Sequence, residues 1–248
     1  VAFLCVCLFL WGKTRDNLID CYRVAFRLLF NRFTSQSICG GSLISNTRVL
    51  TAAHCWWDGT NRGRTMTVVL GSKTIFTGGT RLVLKSPPFL SLPLSFLRDC
   101  DHSPWTIFYL NYIFLENINV VSLPTASDAQ NTFAGTSGIA SGFGKTSDGQ
   151  TSFPPTTHLR HVTLPIITNV ECQKSFDIKL DSSHVCTSGS GGKGTCDGDS
   201  GGPLTVMHRN SRTLVGLSSF GLGSGCQRGY PSVYTRITSY TSWIQTRL

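Results

Sequence analysis

The stretch Gly194–Pro203 reads GTCDGDSGGP, and it decides how the rest of the sequence is interpreted. Its glycines allow sharp backbone turns that direct N–H groups toward one point. A serine hydroxyl becomes an effective nucleophile when an adjacent base takes its proton, so Ser200 is a candidate nucleophile. The amides of Gly198 and Ser200 are candidate donors to an oxyanion. The stretch therefore predicts chemistry at a serine rather than a plain glycine-rich turn.

The segment Thr51–Cys55, which reads TAAHC, supplies a candidate general base. Its histidine, His54, directly precedes Cys55, and a disulfide from Cys55 to Cys39 can clamp the backbone beside the imidazole. A general base must be held within hydrogen-bond reach of the proton that it removes. The spacing therefore favours a catalytic role for His54 over that of an ordinary surface histidine.

Three other interpretations of these motifs fail on the sequence itself. Gly198-x-Ser200-x-Gly202 also matches the nucleophile elbow of α/β-hydrolases, but that fold needs an acid after the serine, and no Asp or Glu follows Asp199. A phosphate-binding loop needs Ser or Thr after its lysine, whereas Lys193 precedes a glycine. No Cys-x-x-Cys pair indicates zinc. We therefore expect neither a metal nor a cofactor.

Composition excludes several classes of protein. The chain has 248 residues, of which 14% are charged and 10% aromatic, whereas disordered chains combine few aromatics with high charge. No apolar stretch approaches the ~20 residues of a membrane-spanning helix. The net charge of +9 is scattered rather than gathered in a basic arm, so we expect no nucleic-acid partner. Ten cysteines favour an oxidising compartment, in which disulfides persist.

Short apolar or alternating segments separated by turn residues predict an all-β sandwich or barrel. Ser86–Leu97 contains three prolines and has poor strand character. A C-terminal helix is predicted because four residues share one face at helical spacing: Ile237, Tyr240, Thr241 and Ile244. The predicted strands are Tyr22–Leu29, Gly41–Ile44, Thr65–Leu70, Arg81–Leu84, Ile118–Leu123, Gly138–Phe143, Leu159–Leu164, Pro203–Val206, Thr213–Leu217 and Val233–Ile237.

Together the His54 and Ser200 motifs resemble those of the chymotrypsin-like (trypsin-fold, peptidase S1) serine endopeptidases. The segments TAAHCWWDG, SGFGKTSDG and TSGSGGKGTCDGDSGGPL are most similar to the digestive chymotrypsins of insect, especially lepidopteran, midgut. The resemblance implies an all-β fold of two packed six-stranded antiparallel β-barrels with a C-terminal helix, and a site in the cleft between the barrels. Barrel one is expected at about 22–124 and barrel two at about 125–248.

The resemblance also assigns roles residue by residue. It implies that His54 is the general base, that Ser200 is the nucleophile, and that Gly198 and Ser200 form the oxyanion hole. It implies the disulfides Cys39–Cys55, Cys172–Cys186 and Cys196–Cys226, and it leaves Cys5, Cys7, Cys21 and Cys100 unassigned.

The same resemblance locates a primary specificity pocket. Gly194 falls where trypsin-like members carry the aspartate that selects Arg or Lys, and Ser219, Gly221 and Ser232 fall at the other pocket positions. With no acid at its base, the pocket is expected to prefer a large apolar or aromatic side chain.

The third catalytic residue has competing positions. Counting forward from His54, the family spacing indicates Asp101, and Asp99 is the alternative. Counting backward from the match at Ile118–Pro124, the spacing falls on Pro104 instead. The segment around residues 85–108 therefore departs from the family pattern.

The N-terminal segment departs from the pattern as well. Residues 1–21 begin VAFLCVCLFLW and are interpreted as a non-family leader or a mis-translated segment. Active family members begin with an Ile-Val-Gly-Gly type N-terminus, whose ammonium pairs with the residue that matches Asp199, and no such tetrapeptide precedes Cys39. Without that partner, Asp199 is a costly charge and the oxyanion hole is expected to stay unformed.

Two functions follow as expectations from these observations. The first is a secreted serine endopeptidase, monomeric and digestive, that acts on proteins or peptides, is open to protease inhibitors and associates with no membrane. A gut lumen is its expected location. The second is a catalytically impaired homologue that keeps the barrels as a binding module. The intact His54 and Ser200 motifs favour the first.

Overall fold

A computed structural model describes residues 23–30, 36–56, 63–85, 89–91, 105–110 and 118–248 of the chain. The described part is built mostly from antiparallel strands. Its strands are β1 (Arg23–Phe30), β2 (Gln36–Ser45), β3 (Arg48–Ala52), β4 (Gly63–Leu70), β5 (Thr80–Lys85), β6 (Phe89–Ser91), β7 (Trp105–Tyr109), β8 (Ser137–Gly142), β9 (Arg160–Ile167), β10 (His184–Thr187), β11 (Pro203–His208), β12 (Ser211–Phe220) and β13 (Ser232–Arg236).

Helical segments are short. They are the α-helices α1 (Asn169–Gln173) and α2 (Thr241–Gln245) and the 3₁₀ turns Ala53–Cys55, Ala126–Asp128 and Ile237–Tyr240. In the part of the chain that the structure describes, no helix is both long and apolar enough to cross a membrane.

The first seven strands form one antiparallel sheet with the order β5-β4-β1-β2-β3-β7-β6. The expected barrel of six strands is therefore seen as a sheet of seven, because Phe89–Ser91 adds a short edge strand beside β7. This strand lies inside a stretch expected to disfavour strand structure. It fits there because it runs between Pro88 and Pro93 and needs no proline N–H for its pairing.

The last six strands form a closed barrel with the order β10-β13-β12-β11-β8-β9. Strand β9 shows why this sequence forms a barrel wall: Leu164 and Ile166 are buried, while Thr163 and Pro165 between and beside them are exposed. This alternation with a period of two places one row of side chains in the barrel interior. Val206 and Tyr234 from other strands pack in the same core.

A further apolar cluster joins the two halves of the chain, which are the seven-stranded sheet and the closed barrel. Leu50 of β3 and Ile107 of β7 pack with Leu214 of β12, and Ile237 and Ile244 at the C-terminus complete the cluster, all of them fully buried. The predicted C-terminal helix is present as a 3₁₀ turn followed by α2, with its apolar face against both halves. Truncating a buried isoleucine to alanine costs about 2–5 kcal/mol, so this contact holds the halves together.

Nine of the ten predicted strands overlap observed ones, and the exception is Ile118–Leu123. The prediction of a strand there is wrong, because this segment crosses from one half to the other instead of joining a sheet. Val121 donates to the carbonyl of Leu43, and Leu214 donates to the carbonyl of Ser122. Val121 is therefore buried, Ile118 and Leu123 are partly buried against the two halves, and Val120 is exposed.

The described residues form three disulfides, and these are the pairings that the family resemblance implies. They join Cys39 to Cys55, Cys172 to Cys186, and Cys196 to Cys226. The four cysteines that the resemblance leaves unassigned, Cys5, Cys7, Cys21 and Cys100, lie outside the described residues.

Candidate active site

The loop that carries Ser200 is fastened to the first half of the chain. The N–H of Gly40, in β2, donates a hydrogen bond of 2.8 Å to the carbonyl oxygen of Ser200. The sulfur of Cys55 lies 3.5 Å from the same oxygen. Because His54 directly precedes Cys55 in the 3₁₀ turn that ends β3, these contacts bring the histidine and serine segments together. The Cys39–Cys55 disulfide holds both contacting residues in place.

Gly201 makes this close approach possible. Its φ is +76°, and a Cβ atom built there would lie 2.1 Å from the Thr51 hydroxyl oxygen and 2.7 Å from the Gly40 carbonyl oxygen. Thr51 itself donates a 2.7 Å hydrogen bond to that carbonyl. No side chain other than hydrogen fits at residue 201. Steric crowding therefore explains why a glycine follows the candidate nucleophile.

The backbone before Ser200 leaves two N–H donors unused. Gly198 has a φ of +96°, and the Asp199 N–H donates to the carbonyl of Cys196 at 2.9 Å, which closes a tight turn. Among the described residues, the N–H groups of Gly198 and Ser200 donate to no other group. They are therefore available to a negatively charged oxygen next to Ser200.

Beyond Ser200 the loop joins the barrel. The Gly201 N–H donates to the Ser218 carbonyl at 2.7 Å, and the Ser218 N–H donates to the Gly202 carbonyl at 2.8 Å. Ser218 is in β12, so the nucleophile loop and the end of this strand form one rigid unit. A rigid scaffold is what a positioned nucleophile requires.

Asp199 is half-buried and lines a cavity of about 310 Å³. Its carboxylate accepts N–H groups from Gly144 at 2.8 Å and from Cys196 at 3.0 Å. Burial raises its pKa to about 6 in spite of these donors, and the nearby charge of Asp197 acts in the same direction. Within the described ranges, no Lys, Arg or His side chain forms an ion pair with Asp199.

The candidate specificity pocket is a cavity of about 170 Å³ beside Ser200. Ser219, Gly221 and Ser232 line this cavity. Gly194 does not line this cavity; it lies behind Ser232, whose hydroxyl oxygen is 2.7 Å from a Cβ built on the glycine. The same hydroxyl accepts the N–H of Thr195 at 3.1 Å and so fixes the wall of the pocket.

Some of the predicted catalytic residues are not among the residues that the structure describes. Asp101 and Asp99, the two candidates for the third catalytic residue, lie outside the described residues, as does Pro104. His54 is described and half-buried at the end of β3. The catalytic roles of these residues remain proposals.

Sequence reasoning gave no role to Asp197, which lies at the rim of the pocket. Its carboxylate forms a 2.7 Å ion pair with the Lys145 ammonium. The sequence feature that indicates a role for Asp197 is its position directly before Gly198, inside the motif that carries Ser200.

One group of potential metal ligands occurs in the described part of the chain, formed by Asp148, Cys196 and Cys226. The two sulfurs are joined to each other in a disulfide. A metal-binding cysteine must be a free thiolate, so this group does not form a metal site while the bridge is intact.

The loop that carries Ser200 is held against the segment that carries His54, and a pocket lies beside it. This arrangement is typical of a serine-dependent hydrolase. Comparison with known proteins agrees. The family profile described as Trypsin matches residues 21–244. Serine protease 1 of Drosophila melanogaster is 36% identical over 217 residues, which cover 84% of this chain and 74% of that protein.

Two further similarities extend the comparison. Brachyurin of Leptuca pugilator is 36% identical over 221 residues, which cover 84% of this chain and 87% of that protein. The solved structure of HL collagenase has a TM-score of 0.77 and 28% identity, and the match covers 93% of this chain and 94% of that one. The chain therefore belongs to the trypsin family of serine endopeptidases, and the expected trypsin fold is confirmed.

Proposed function

We propose that this chain is a secreted serine endopeptidase that cleaves peptide bonds through an acyl-enzyme, with a preference for an apolar residue in the pocket beside Ser200. The observation that carries the proposal is the clamp of the Ser200 loop onto Gly40 and Cys55, next to His54. Three disulfides in the described chain are consistent with an oxidising, extracellular location.

In the proposed reaction, the Ser200 hydroxyl oxygen attacks the carbonyl carbon of the scissile peptide bond while His54 takes its proton. The negative charge that develops on the carbonyl oxygen is stabilised by the free N–H groups of Gly198 and Ser200. His54 then gives the proton to the leaving amine as the C–N bond breaks. A water molecule, deprotonated by His54, attacks the acyl ester and releases the acid and the serine.

An acid is needed to hold the His54 imidazole in the correct tautomer. We assign this role to Asp101, with Asp99 as the alternative. In a serine protease triad, loss of this acid lowers turnover by about 10⁴. Activity measured on Asp101→Asn and Asp99→Asn therefore separates the two assignments.

The pocket supports the proposed preference. Its described lining near Ser200 is made of glycine, serine and an aromatic ring, from residues such as Gly221, Ser232 and Phe220. A basic side chain entering it would meet no carboxylate at Gly194. The one acid on its lining, Asp197, is at the rim and is paired with Lys145. Burial of an apolar side chain is then the main source of binding energy.

A digestive role in a gut lumen is part of this proposal and rests on the resemblance of the sequence to insect midgut chymotrypsins. The substrates are then dietary proteins, and protein inhibitors that fill the pocket are expected partners. Cleavage of denatured dietary protein with release of peptides that end in Phe, Tyr or Leu would support this assignment.

A catalytically impaired homologue is the alternative, and one observation favours it. Asp199 forms no ion pair among the described residues, although the family pairs the matching residue with an N-terminal ammonium. An unpaired carboxylate at this position is costly and would weaken the oxyanion site.

Labelling with a fluorophosphonate distinguishes the two functions. The folded chain should be modified at Ser200, and the Ser200→Ala and His54→Ala variants should not react. Folded protein with no label on Ser200 would exclude catalysis and leave the binding role.

A further inference from the structure

The ring of Phe220 forms part of the wall of the specificity pocket. Phe220 is the last residue of β12, and it lines the same cavity as Ser200 and Ser232. Its side chain is half-buried, because it also packs against an apolar cluster that includes the buried Phe176. The shape of the pocket therefore depends on the residues that support this ring from the interior of the protein.

Two rings meet Phe220 edge-on. The ring centroid of Phe176 lies 5.7 Å from that of Phe220 at an interplanar angle of 87°, and the imidazole of His184 lies 6.1 Å away at 79°. Contacts of this geometry between aromatic rings are favourable. Both Phe176 and His184 are buried, with 8% of each residue exposed. A phenyl ring and an imidazole thus support the pocket wall together.

Asp181 holds the His184 imidazole in its orientation. One Asp181 carboxylate oxygen lies 2.9 Å from His184 Nδ1, and the N–H and hydroxyl of Ser183 donate to the same oxygen. Although burial raises the pKa of Asp181, the hydrogen bonds from Ser183 and the interaction with His184 lower it below its usual value. The carboxylate is therefore charged at neutral pH and accepts the Nδ1 hydrogen, which fixes the tautomer and the plane of the ring.

The backbone of His184 is anchored independently of its side chain. Its carbonyl oxygen accepts hydrogen bonds from the Arg236 guanidinium at 2.7 Å and 3.0 Å and from the Asn169 amide at 3.1 Å. Arg236 is itself buried. Because these contacts use only the main chain at residue 184, the imidazole can be exchanged while the backbone stays in place.

We propose that His184 is a positioning residue of the specificity pocket: oriented by Asp181, it supports the Phe220 ring and so sets the affinity of the pocket for a large apolar side chain. The inference rests on the proposed function and refines it, since it concerns the wall of the same pocket. It connects the Asp181 side chain, which is 55% exposed, to the substrate through one buried imidazole.

His184→Ala should weaken substrate binding and leave the chemistry intact. Loss of one edge contact behind Phe220 should raise the KM of a Phe peptide by about fivefold. The kcat should change by less than about twofold, because the contact is made equally in the ground state and the transition state. A peptide with Ala in place of Phe does not fill the pocket, and its KM should stay near the native value. His184→Phe restores an aromatic edge and should bring the KM of the Phe peptide back within about twofold of native.

Asp181→Ala provides a second test at a largely exposed side chain, so it is expected to fold even if His184→Ala does not. Without its acceptor the imidazole is free to turn, and the KM of the Phe peptide should rise by about twofold to threefold. Combined with His184→Phe, the same change should have no further effect, because a phenyl ring makes no hydrogen bond to Asp181. A purely structural role of Asp181 would instead give additive losses.

The chain contains a matched control for these variants. His208 lies 3.0 Å from an Asp128 carboxylate oxygen and meets the Phe133 ring edge-on at 5.3 Å, which repeats the arrangement around His184. In the described part of the chain, none of these three residues lines the pocket. His208→Ala should therefore lower the stability of the fold and keep the native KM for both peptides.

Two measurements are made on each variant after urea unfolding has shown that it is folded. The first is the KM and kcat for fluorogenic peptides with Phe or Ala as the cleaved residue. The second needs no cleavage: it is the Kd of N-acetyl-phenylalaninamide, measured by calorimetry with Ser200→Ala added to every variant. This Kd should follow the same order as the KM of the Phe peptide.

The outcomes separate the inference from the proposed function. A KM and a Kd that rise in His184→Ala and return in His184→Phe support the role of His184. Cleavage of the Phe peptide with a KM that neither His184→Ala nor Asp181→Ala alters overturns this inference alone. No cleavage by the native chain, with Kd values in the predicted order, overturns the proposed function alone. No cleavage and a Kd that does not depend on residue 184 overturn both.

Discussion

The N–H of Gly40 and the carbonyl oxygen of Ser200 form a 2.8 Å hydrogen bond across the two halves of the chain. Gly40 follows Cys39, whose disulfide partner Cys55 adjoins His54. A single contact therefore connects the backbone of the proposed nucleophile to the segment of the proposed base. The relative position of Ser200 and His54 depends on how closely the two halves pack here. Gly201 permits this close packing because it has no side chain.

Gly201→Ala should destabilise the fold and abolish activity together. Its methyl group would overlap the Thr51 hydroxyl and the Gly40 carbonyl, in a backbone conformation that alanine also disfavours. A cost of about 2 kcal/mol or more is expected, measured by urea unfolding. Gly149→Ala is the control, because a Cβ there has nothing within 4 Å, and it should leave both properties unchanged. Equal stability of the two variants would contradict the packing argument.

Asp199 should make the stability of this chain fall as the pH rises. Its folded pKa is raised from 3.8 to about 6, so between these values the folded state binds more protons than the unfolded state. The stabilisation is complete below pH 3.8 and is lost as the pH passes about 6. Asp199→Asn removes this titration, so the difference in unfolding free energy between the variants should shift in favour of Asn across that window.

Urea unfolding of both chains at several pH values measures this difference. Contributions that are common to both chains cancel in the comparison. A difference that stays constant across the window would show that Asp199 already has a cationic partner in the folded protein.

Asp128 should have the opposite pH dependence. Hydrogen bonds from the N–H and hydroxyl of Thr125 lower its pKa to about 2, with His208 and the charge of Arg209 acting in the same direction against burial. Its contribution is complete above pH 3.8 and is lost as the pH falls toward 2. Asp128→Asn should cost about 1–3 kcal/mol at neutral pH, since the carboxylate is a buried acceptor of several donors.

The loss caused by Asp128→Asn should shrink as the pH falls through this window. Asp177→Asn, at an exposed residue, is the matched control and should have little effect at any pH. A cost for Asp128→Asn that is the same at low and neutral pH would contradict the assignment.

Gly194→Asp should move the preference of the pocket toward arginine. The new carboxylate would lie behind Ser232, since a Cβ at residue 194 is within 2.7 Å of its hydroxyl oxygen. The ratio of kcat/KM for Arg and Phe chromogenic peptides should rise by at least about tenfold. Gly194→Asn adds similar volume without charge, and an equal rise with it would argue against an electrostatic cause.

The chemistry-bearing parts of the site could be predicted from the sequence because they are local. GTCDGDSGGP and TAAHC each contain their functional residue and its backbone constraints within ten residues. The three disulfide pairings are those that the family resemblance implies. The contacts of Gly201 with Thr51 and Gly40 could not be predicted in this way. They depend on the packing of segments about 150 residues apart, which periodicity does not report.

The errors have physical causes as well. Ile118–Leu123 has the apolar content of a strand, but its burial comes from lying between the two halves, where Leu43 and Leu214 each satisfy one backbone group. Strands β3, β6, β7 and β10 are not predicted from the sequence because each is only three to five residues long. Their pairing with longer neighbours stabilises them more than their own sequence pattern does.

The central claim is that His54 activates Ser200 to form an acyl-enzyme, and a burst experiment tests it most directly. The folded chain is mixed with a p-nitrophenyl ester of a Phe derivative, nitrophenol release is followed in time, and the quenched protein is analysed by mass spectrometry. The account predicts a burst near one equivalent, with the acyl group on Ser200, and no burst for His54→Ala or Ser200→Ala. A folded chain that shows no burst, or that carries the acyl group elsewhere, would contradict the account.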